Sequence, residues 1–223
     1  MYKFDTHVHT SETSECGQIT ARDTVKLYKE AGYTGIVITD HYYKNFFETS
    51  QKETWEDKIS RYLRGYKRAV EEGTNLGMTV LLGMEIRFTE NPNDYLVFGI
   101  TEDFLIQNPE LYKMGLKEFK KLIEKEDILI FQAHPYRPGM VVAEPHNIHG
   151  VEVYNGNLRH NSMNSKAYQF ALENGLLMSS GSDFHLTEDL ARGGMVFADE
   201  IMSSEELVKA LRCNAFSELI SIL

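Results

Sequence analysis

Two histidines near the start of the chain are the first residues whose type and spacing could do chemistry. His7 and His9 stand two positions apart in a stretch that reads Asp-Thr-His-Val-His. In an extended chain, side chains at i and i+2 point to the same side, so both imidazoles can reach one metal ion. An acid with a histidine recurs in Asp40-His41 and in the segment 181–185, which reads Gly-Ser-Asp-Phe-His. Three such pairs in one chain indicate a metal centre rather than isolated polar residues.

The elements that must position these residues follow a regular alternation. Apolar, β-like runs cover residues 2–4, 35–39, 79–88, 95–100, 128–133, 150–154, 176–181 and 194–197. Between them lie helical patterns, such as the apolar residues three and four positions apart within 59–70. Thr20 with Asp23, and Ser203 with Glu206, are typical of helix N-termini. The alternation predicts an α/β fold with a mostly parallel sheet.

The polar residues that could do chemistry lie at or near the ends of these runs. In chain order they are His7, His9, Asp40, His41, Glu85, His134, Asp183 and His185. In a (β/α) barrel the ends of successive strands meet on one face, so residues that are distant in sequence converge there. The sequence therefore predicts a single site.

The composition is that of one ordinary domain, and we expect residues 1–223 to form it, with 42% apolar residues. No apolar run approaches the roughly 18 residues that span a bilayer, and no secretion signal is visible, so we expect a cytoplasmic protein without membrane contact. Cys16 and Cys213 are too few for a disulfide framework. The formal charge of −10 disfavours long nucleic acid as a partner, since such binding relies on clustered Lys and Arg. A small anionic molecule stays compatible, because bound divalent ions would offset this charge.

Taken in order, the sequence motifs resemble those of the PHP (polymerase and histidinol phosphatase) family of metal-dependent phosphoesterases. The matching segments are 5–9, 14–17, 39–41, 83–85, 133–135, 150–155 with His160, and 181–185. The resemblance runs over most of the chain. It implies a single-domain, distorted (β/α)₇ TIM-like barrel with a trinuclear metal site.

The resemblance also implies which residues bind the ions. A first ion would be bound by His7, His9, Glu85 and Asp183. A second would be bound by Glu85, His134 and His160, so that the Glu85 carboxylate bridges two ions. A third would be bound by Glu15, His41 and His185, although many relatives carry His or Asp in place of Glu15. We therefore expect two to three divalent ions, and this mixed imidazole and carboxylate set suits Zn²⁺, Mn²⁺ or Fe²⁺.

Ions roughly 3.5–4 Å apart would do what hydrolysis of a phosphate ester requires, because they generate hydroxide near neutral pH and neutralise charge on the phosphoryl oxygens. Glu85 and Asp183 would be central to catalysis through the ions. Arg137 and Arg192 are the leading candidates for binding the non-transferred oxygens, and Arg159 has a weaker claim.

The surroundings of the ligands carry two further expectations. Asp5 and Asp40 precede or adjoin ligands, and we expect them to orient those ligands by hydrogen bonds. The aromatic-rich segment 42–54 is expected to line the substrate pocket, although its rings could equally belong to the core.

Three functional hypotheses remain open from the sequence. The favoured one is a phosphatase or phosphodiesterase acting on a small-molecule phosphate ester, for which histidinol phosphate, a nucleoside phosphate or a phosphotyrosine-like group would each be suitable. The second is an amidohydrolase-like enzyme that cleaves a C–N bond with the same metals. The third is a PHP-like module that binds metal without turnover. The sequence contains neither a Gly-x-Ser-x-Gly elbow nor a Walker-type glycine loop, which disfavours serine hydrolases and nucleoside triphosphatases.

Overall fold

Each of the apolar runs in the sequence contributes a strand in the computed structural model, which describes residues 1–49 and 52–221. The strands are β1 (Tyr2–Val8), β2 (Gly35–Ile38), β3 (His41–Tyr42), β4 (Thr79–Arg87), β5 (Asp94–Phe98), β6 (Leu129–Gln132), β7 (Gly150–Asn155), β8 (Leu177–Gly181), β9 (Gly193–Phe197) and β10 (Phe216–Ser221). The short β3 and the terminal β10 were not among the predicted runs.

Helices follow most of the strands. They are α1 (Ala21–Glu30), α2 (Lys44–Glu48), α3 (Trp55–Tyr62), α4 (Arg64–Leu76), α5 (Glu102–Gln107), α6 (Leu116–Leu122), α7 (Asn164–Asn174) and α8 (Ser204–Arg212). The predicted N-termini are confirmed, because Thr20 accepts a hydrogen bond from the backbone of Asp23, and Ser203 accepts one from Glu206. The helical pattern within 59–70 is divided between α3 and α4.

The strands follow the order β10-β9-β1-β2-β4-β5-β6-β7-β8 in the sheet, and β3 pairs with β4. The pairs β1–β2, β2–β4, β6–β7 and β7–β8 are parallel, as predicted. β5 and β9 run antiparallel to their neighbours, so the sheet is mixed. This direction change places the first residue of β5, rather than its last, at the edge where the parallel strands end.

Backbone hydrogen bonds join the end of β1 to the segment that follows β8. The His9 N–H donates to the Phe184 carbonyl at 3.1 Å, and the Phe184 N–H donates to the His7 carbonyl at 3.2 Å. Val8 and Phe184 form a parallel bridge at the same point. The sheet is therefore a nearly closed barrel, which confirms the expected TIM-like architecture, and the closure brings the ends of β1 and β8 together at the predicted site.

The aromatic segment 42–54 divides between the core and the site, and its residues 50–51 lie outside the described part of the chain. Tyr42 and Phe47 are fully buried and pack with Tyr62 and Tyr112. Tyr43 instead stacks on the imidazole of His41, with 4.3 Å between ring centroids. None of the described helices is long and apolar enough to cross a bilayer.

Candidate metal centre

The buried acidic and imidazole side chains converge at the edge where the parallel strands end. His7 lies in β1 with His9 just beyond it, His41 is in β3, Glu85 is near the end of β4, and His134, Asp183 and His185 follow β6 and β8. Asp94 joins them from the first position of β5. Clusters of His9, His41 and His185, of His7, His9 and Glu85, and of Glu85, Asp94 and His134 each bring donor atoms close enough to hold a metal ion.

Glu85 is the centre of this arrangement. Its Oε1 lies 3.4 Å from His7 Nε2 and 3.2 Å from His134 Nε2. Its Oε2 lies 3.5 Å from His9 Nε2 and 2.7 Å from His41 Nδ1. The two oxygens of one buried carboxylate thus face different imidazoles, which is the arrangement that a bridging ligand requires.

Asp183 completes the group around His7 and His9. Its Oδ1 lies 3.5 Å from Nε2 of each of these residues, while its Oδ2 accepts a 2.7 Å hydrogen bond from Arg137 Nη2. In a tetrahedral site with bonds of about 2.0–2.2 Å, neighbouring donor atoms lie roughly 3.3–3.6 Å apart. The Nε2 atoms of His7 and His9 each lie at this spacing, 3.4–3.5 Å, from one Glu85 oxygen and from Asp183 Oδ1. Within the described part of the chain, the buried Nε2 atoms of His7 and His9 have no hydrogen-bond partner, as befits atoms that bind a cation.

A carboxylate sets the orientation of the His7 ring. Glu152 Oε1 lies 2.8 Å from His7 Nδ1, and Glu152 Oε2 accepts a 3.0 Å hydrogen bond from the backbone N–H of His134. Because an ionised carboxylate only accepts, Nδ1 of His7 donates a proton to Glu152, so Nε2 is the ring nitrogen that faces Glu85 and Asp183 and is available to an ion. Sequence reasoning gave Glu152 no role, although it belongs to one of the matching motifs.

Asp40 orients His9 through Ser14, as expected of a residue beside the ligands. The Ser14 hydroxyl donates to Asp40 Oδ1 at 2.7 Å, and the same oxygen atom of Ser14 lies 3.2 Å from His9 Nδ1. A hydroxyl has one proton to donate, so the Nδ1–H of His9 is the donor to Ser14. This leaves Nε2 of His9 free to bind an ion. Asp40 also accepts hydrogen bonds of 2.7 Å from the backbone and the hydroxyl of Thr10.

Asp5 joins β1 to the segment after β8. Its carboxylate accepts hydrogen bonds from the backbone N–H of His7 and Ser182, from the Ser182 hydroxyl and from the Tyr28 hydroxyl. Burial raises the pKa of Asp5 to about 6, and these hydrogen bonds oppose the rise. The predicted orienting role of Asp5 is therefore visible as a link between two ligand-bearing segments.

The electrostatics of the centre favour a cation. Burial alone would raise the pKa of Glu85 and Asp183, but His7 and the other imidazoles outweigh it and hold both pKa values well below the ordinary range. Burial lowers the pKa of His7, yet the carboxylates around it raise that pKa well above 6.5. Burial and the imidazoles of His185 and His41 hold the pKa of His9 well below its ordinary value. The carboxylates thus demand positive charge here, which a proton on His7 or a bound cation supplies.

The backbone is strained at two of these positions. His134 has φ 30° and Asp183 has φ 53°, which non-glycine residues seldom adopt. Strain of this kind is retained where function or packing holds it. A close approach occurs at Gly181, where an added Cβ would lie 2.3 Å from His7 Cβ. Glycine at the end of β8 therefore allows Asp183 to come next to His7.

Two predicted ligands lie apart from the buried cluster. His160 is exposed at the rim of the cleft. Its partial burial, and secondly the positive charge of Arg137, lower its pKa. Glu15 is also exposed, and among the described residues its carboxylate makes no ion pair with His41 or His185. The neighbour of Glu15, Cys16, contacts these imidazoles instead, with its Sγ 3.1 Å from His41 Nε2. Burial raises the pKa of the Cys16 thiol, but hydrogen bonds with His185 and His41 outweigh it and lower the pKa to about 6.

Asp94 is a site residue that the sequence reasoning missed. It lies with Glu85 and His134 in one cluster, and its carboxylate also accepts hydrogen bonds from Arg87, at 2.8 and 2.7 Å, and from the Tyr43 hydroxyl at 2.7 Å. The sequence does show an acidic residue directly before an apolar run. Such a residue lies at the site only if the strand that follows it is antiparallel to its neighbours, as β5 is.

A cleft of about 550 Å³ opens above the cluster, a volume typical of small-molecule sites. Arg87, Arg137 and Arg159 line it, and each is held by a carboxylate, those of Asp94, Asp183 and Asp189 respectively. Arg192, in contrast, donates from Nε to the Gly156 carbonyl at 3.2 Å and is not among the described residues that line this cleft.

Comparison with known families gives two matches along the sequence. The model of the PHP domain matches residues 5–136, which is more than half of the chain, and the model described as PHP-associated matches residues 161–216. No curated protein sequence matches the chain significantly.

Solved structures share the fold. A two-domain protein from Bacteroides vulgatus, containing a predicted PHP-like metal-dependent phosphoesterase, is 22% identical with a TM-score of 0.66; the match covers 96% of this chain and 63% of that one. This chain therefore spans less than two thirds of that relative. A protein from Bifidobacterium adolescentis, whose assignment as a metal-dependent phosphoesterase is itself a prediction, is 15% identical over 96% of both chains, with a TM-score of 0.56. An amidohydrolase from Chromobacterium violaceum, solved with bound sulfate and no metal, is 16% identical over 84% of this chain and 89% of that one, with a TM-score of 0.54.

Proposed function

The chain belongs to the PHP family, and on that basis we propose that it is a metal-dependent phosphoesterase that hydrolyses a phosphate ester of a small molecule. The observation that carries the proposal is the position of Glu85. Its buried carboxylate faces the imidazoles of His7, His9, His41 and His134 at the base of a cleft, and arginine side chains line that cleft.

The proposal gives each ligand a role within a cluster of two to three ions. His7, His9, Glu85 and Asp183 would bind one ion, which their 3.4–3.5 Å spacings support. Glu85 and His134 would bind a second ion together with Asp94 or His160, and the buried cluster favours Asp94. His41 and His185 would bind a third. The donor set suits Zn²⁺, Mn²⁺ or Fe²⁺.

Bound divalent ions would supply a nucleophile by lowering the pKa of water, and would neutralise charge on the phosphoryl oxygens. The protein's own residues attract the ions and orient the ligand side chains. The low pKa values of Glu85 and Asp183 keep both carboxylates ionised at neutral pH, so they attract and fix cationic charge at the base of the cleft. The hydrogen bonds from Nδ1 of His7 and His9 fix the rings so that Nε2 faces the centre.

Arg137 is the residue best placed to bind the substrate. Its guanidinium lies 2.7 Å from Asp183 Oδ2 and lines the cleft, so its remaining N–H groups can donate to a non-transferred phosphoryl oxygen beside the cluster. Arg87 and Arg159 lie on other walls of the same cleft and would bind further anionic groups of the substrate.

A second candidate function is hydrolysis of a C–N bond, and the likeness to the Chromobacterium violaceum amidohydrolase favours it. The same cluster could activate water for attack on an amide carbon. Against it, the described residues that line the cleft include no lysine that could be carbamylated, while they include arginines suited to phosphate.

Three chromogenic compounds separate these functions. The protein reconstituted with Mn²⁺ or Zn²⁺ is assayed with p-nitrophenyl phosphate, bis(p-nitrophenyl) phosphate and p-nitroacetanilide, beside the Glu85→Gln variant prepared identically. We expect the wild-type protein to hydrolyse at least one of the two phosphate esters, and the Glu85→Gln variant to hydrolyse neither. Hydrolysis of the anilide alone would replace the proposal by the second function. If metal-loaded protein hydrolyses none of the three compounds and none of a panel of phosphorylated metabolites, the result would favour a non-catalytic metal-binding module.

A further inference from the structure

The loop after His9 places a cysteine next to the imidazole cluster of His9, His41 and His185. Cys16 Sγ lies 3.1 Å from His41 Nε2, and Cys16 also contacts His185. The Nε2 atoms of His41 and His185 lie 3.5 Å apart. A sulfur and two ring nitrogens therefore point at one small volume beside His9.

The tautomer of His185 leaves a donor atom free there. His185 Nδ1 lies 2.9 Å from the backbone carbonyl of Asp183, and a carbonyl only accepts, so Nδ1 carries the proton. Nε2 is then the ring nitrogen that faces His41 and Cys16 and is available to an ion. Hydrogen bonds of this kind are the usual device that orients a metal-binding imidazole.

The crowding of the imidazoles is a second, independent indication of a ligand. The ring centroid of His9 lies 4.2 Å from that of His185 and 4.3 Å from that of His41. The donor atoms of the three residues form one of the clusters able to hold an ion, and the buried Nε2 of His9 has no hydrogen-bond partner in the described structure. A cation bound between these rings would take the place of protons on the ring nitrogens that face one another.

Local hydrogen bonds explain why Cys16, and not Glu15, faces the cluster. The Ser14 hydroxyl is fixed by Asp40 and accepts the backbone N–H of His41 at 3.0 Å. The Gly17 N–H closes a turn onto the Ser14 carbonyl at 2.9 Å. Between these two fixed points the Cys16 side chain reaches the imidazoles, whereas the Glu15 carboxylate makes no ion pair with them among the described residues.

We propose that Cys16 binds, as a thiolate, the ion that His41 and His185 hold, so that this position of the cluster has sulfur and nitrogen ligands. Binding releases the thiol proton to solvent. The inference rests on the part of the proposed function that gives the cluster its ions, and is independent of the substrate. A thiolate is a soft ligand, so this position should prefer Zn²⁺, Co²⁺ or Fe²⁺ over Mn²⁺ and Mg²⁺.

Cobalt gives a direct test, because thiolate ligation of Co²⁺ produces a sulfur-to-metal charge-transfer band in the near ultraviolet. The metal-free full-length protein is titrated with Co²⁺ alone, beside Cys16→Ser, Cys213→Ser and Glu15→Gln. Cys213 is the other free, exposed cysteine and serves as the matched control. We expect the band in wild type, Cys213→Ser and Glu15→Gln, and its loss in Cys16→Ser with about one equivalent less of tightly bound cobalt. Thermal unfolding of Cys16→Ser checks that the exposed substitution leaves the fold intact.

A second measurement uses the chemistry of the thiols. Iodoacetamide should alkylate both cysteines in metal-free protein, and only Cys213 after Zn²⁺ loading, as read by peptide mass spectrometry. A band that persists in Cys16→Ser, bound cobalt without a band, or equal alkylation of Cys16 with and without Zn²⁺ would each overturn the inference. Failure to bind any cobalt would overturn the metal part of the proposed function as well, whereas failure to hydrolyse phosphate esters with the band intact would overturn only the substrate.

Discussion

The carboxylate of Glu152 holds the ring of His7 from behind, with Oε1 2.8 Å from Nδ1. Its other oxygen accepts the backbone N–H of His134 at 3.0 Å. One buried side chain therefore orients a ligand from β1 and fixes the strained backbone of a ligand after β6.

Glu152→Gln should weaken metal binding about 10- to 100-fold, which is the usual effect of removing a hydrogen-bond partner behind a metal ligand. An amide offers one acceptor oxygen where Glu152 offers two, so either His7 Nδ1–H or the His134 N–H would face an N–H₂ group. Competition with a chromogenic chelator measures the affinity. The control is Glu173→Gln, on the exposed face of α7, where the glutamate accepts a hydrogen bond from Gln169. Wild-type affinity in Glu152→Gln would contradict the orienting role.

Glu85→Gln should remove both metal and turnover, while Glu15→Gln should keep most of both. The difference is expected because Glu85 lies between imidazoles on both of its oxygens, whereas Glu15 is exposed and makes no ion pair with His41 or His185 in the described structure. Elemental analysis after dialysis and hydrolysis of p-nitrophenyl phosphate give the two readouts. Similar, mild losses in the two variants would mean that the bridging role of Glu85 is misassigned.

Much of the fold followed from the sequence because the pattern is local. Apolar runs that end in His or Asp predicted the strands, and the ends of parallel strands predicted that His7, His9, Glu85, His134 and Asp183 would meet. Strand direction is not local, since it depends on which neighbour a strand joins. For that reason the expected, mostly parallel sheet gave no role to Asp94, the first residue of the antiparallel β5.

The loop residues of the site were harder to predict for a related reason. At this loop the resemblance to the PHP family implied Glu15, and not Cys16, as the ligand. Which of the two side chains faces the imidazoles depends on a turn that the hydrogen bond from Ser14 to Asp40 fixes. These two residues are 26 positions apart in the sequence. His160 was placed by its offset from a motif, and it lies at the rim of the cleft, so its role as a ligand stays a prediction.

Arg137→Ala should lower kcat/KM for the best phosphate ester by about ten- to a few-hundred-fold, since a charge-assisted hydrogen bond contributes roughly 1.5–3 kcal/mol. Arg137→Lys should recover only part of this, because it keeps the charge and loses the planar fork. Arg192→Ala is the matched comparison, and its expected loss is small because that guanidinium donates to the Gly156 carbonyl. Metal content is measured in all three variants, since Arg137 also contacts Asp183. Equal kcat/KM in wild type and Arg137→Ala would leave phosphate binding to the ions and the backbone.

His149 supplies a pH-dependent contribution to stability at a distance from the proposed ligands. Its ring Nδ1 accepts a hydrogen bond from the backbone N–H of Ile130 at 3.0 Å. The backbone N–H of His149 donates to the Ile130 carbonyl at 2.8 Å. Burial, followed by the charges of Lys120 and Arg212, lowers the pKa of His149 from 6.5 to about 4. Protonation of Nδ1 would break the hydrogen bond from Ile130 and place a cation near two others.

The stability that His149 contributes should therefore be fully present above pH 6.5 and should be lost as the pH falls towards 4. Between these values the unfolded chain binds more protons at this residue than the folded chain, so the free energy of unfolding rises with pH. We expect wild type to lose roughly 1–2 kcal/mol more than His149→Asn between pH 7 and pH 4, after allowance for the partial exposure of the ring. Asn keeps an acceptor oxygen and does not titrate. Urea unfolding of both proteins at each pH gives the difference, in which the titration of the metal centre cancels, and His146→Asn, at an exposed residue of the same loop, is the control. Parallel pH profiles for wild type and His149→Asn would show that the ring of His149 is protonated as easily in the folded chain as in the unfolded one.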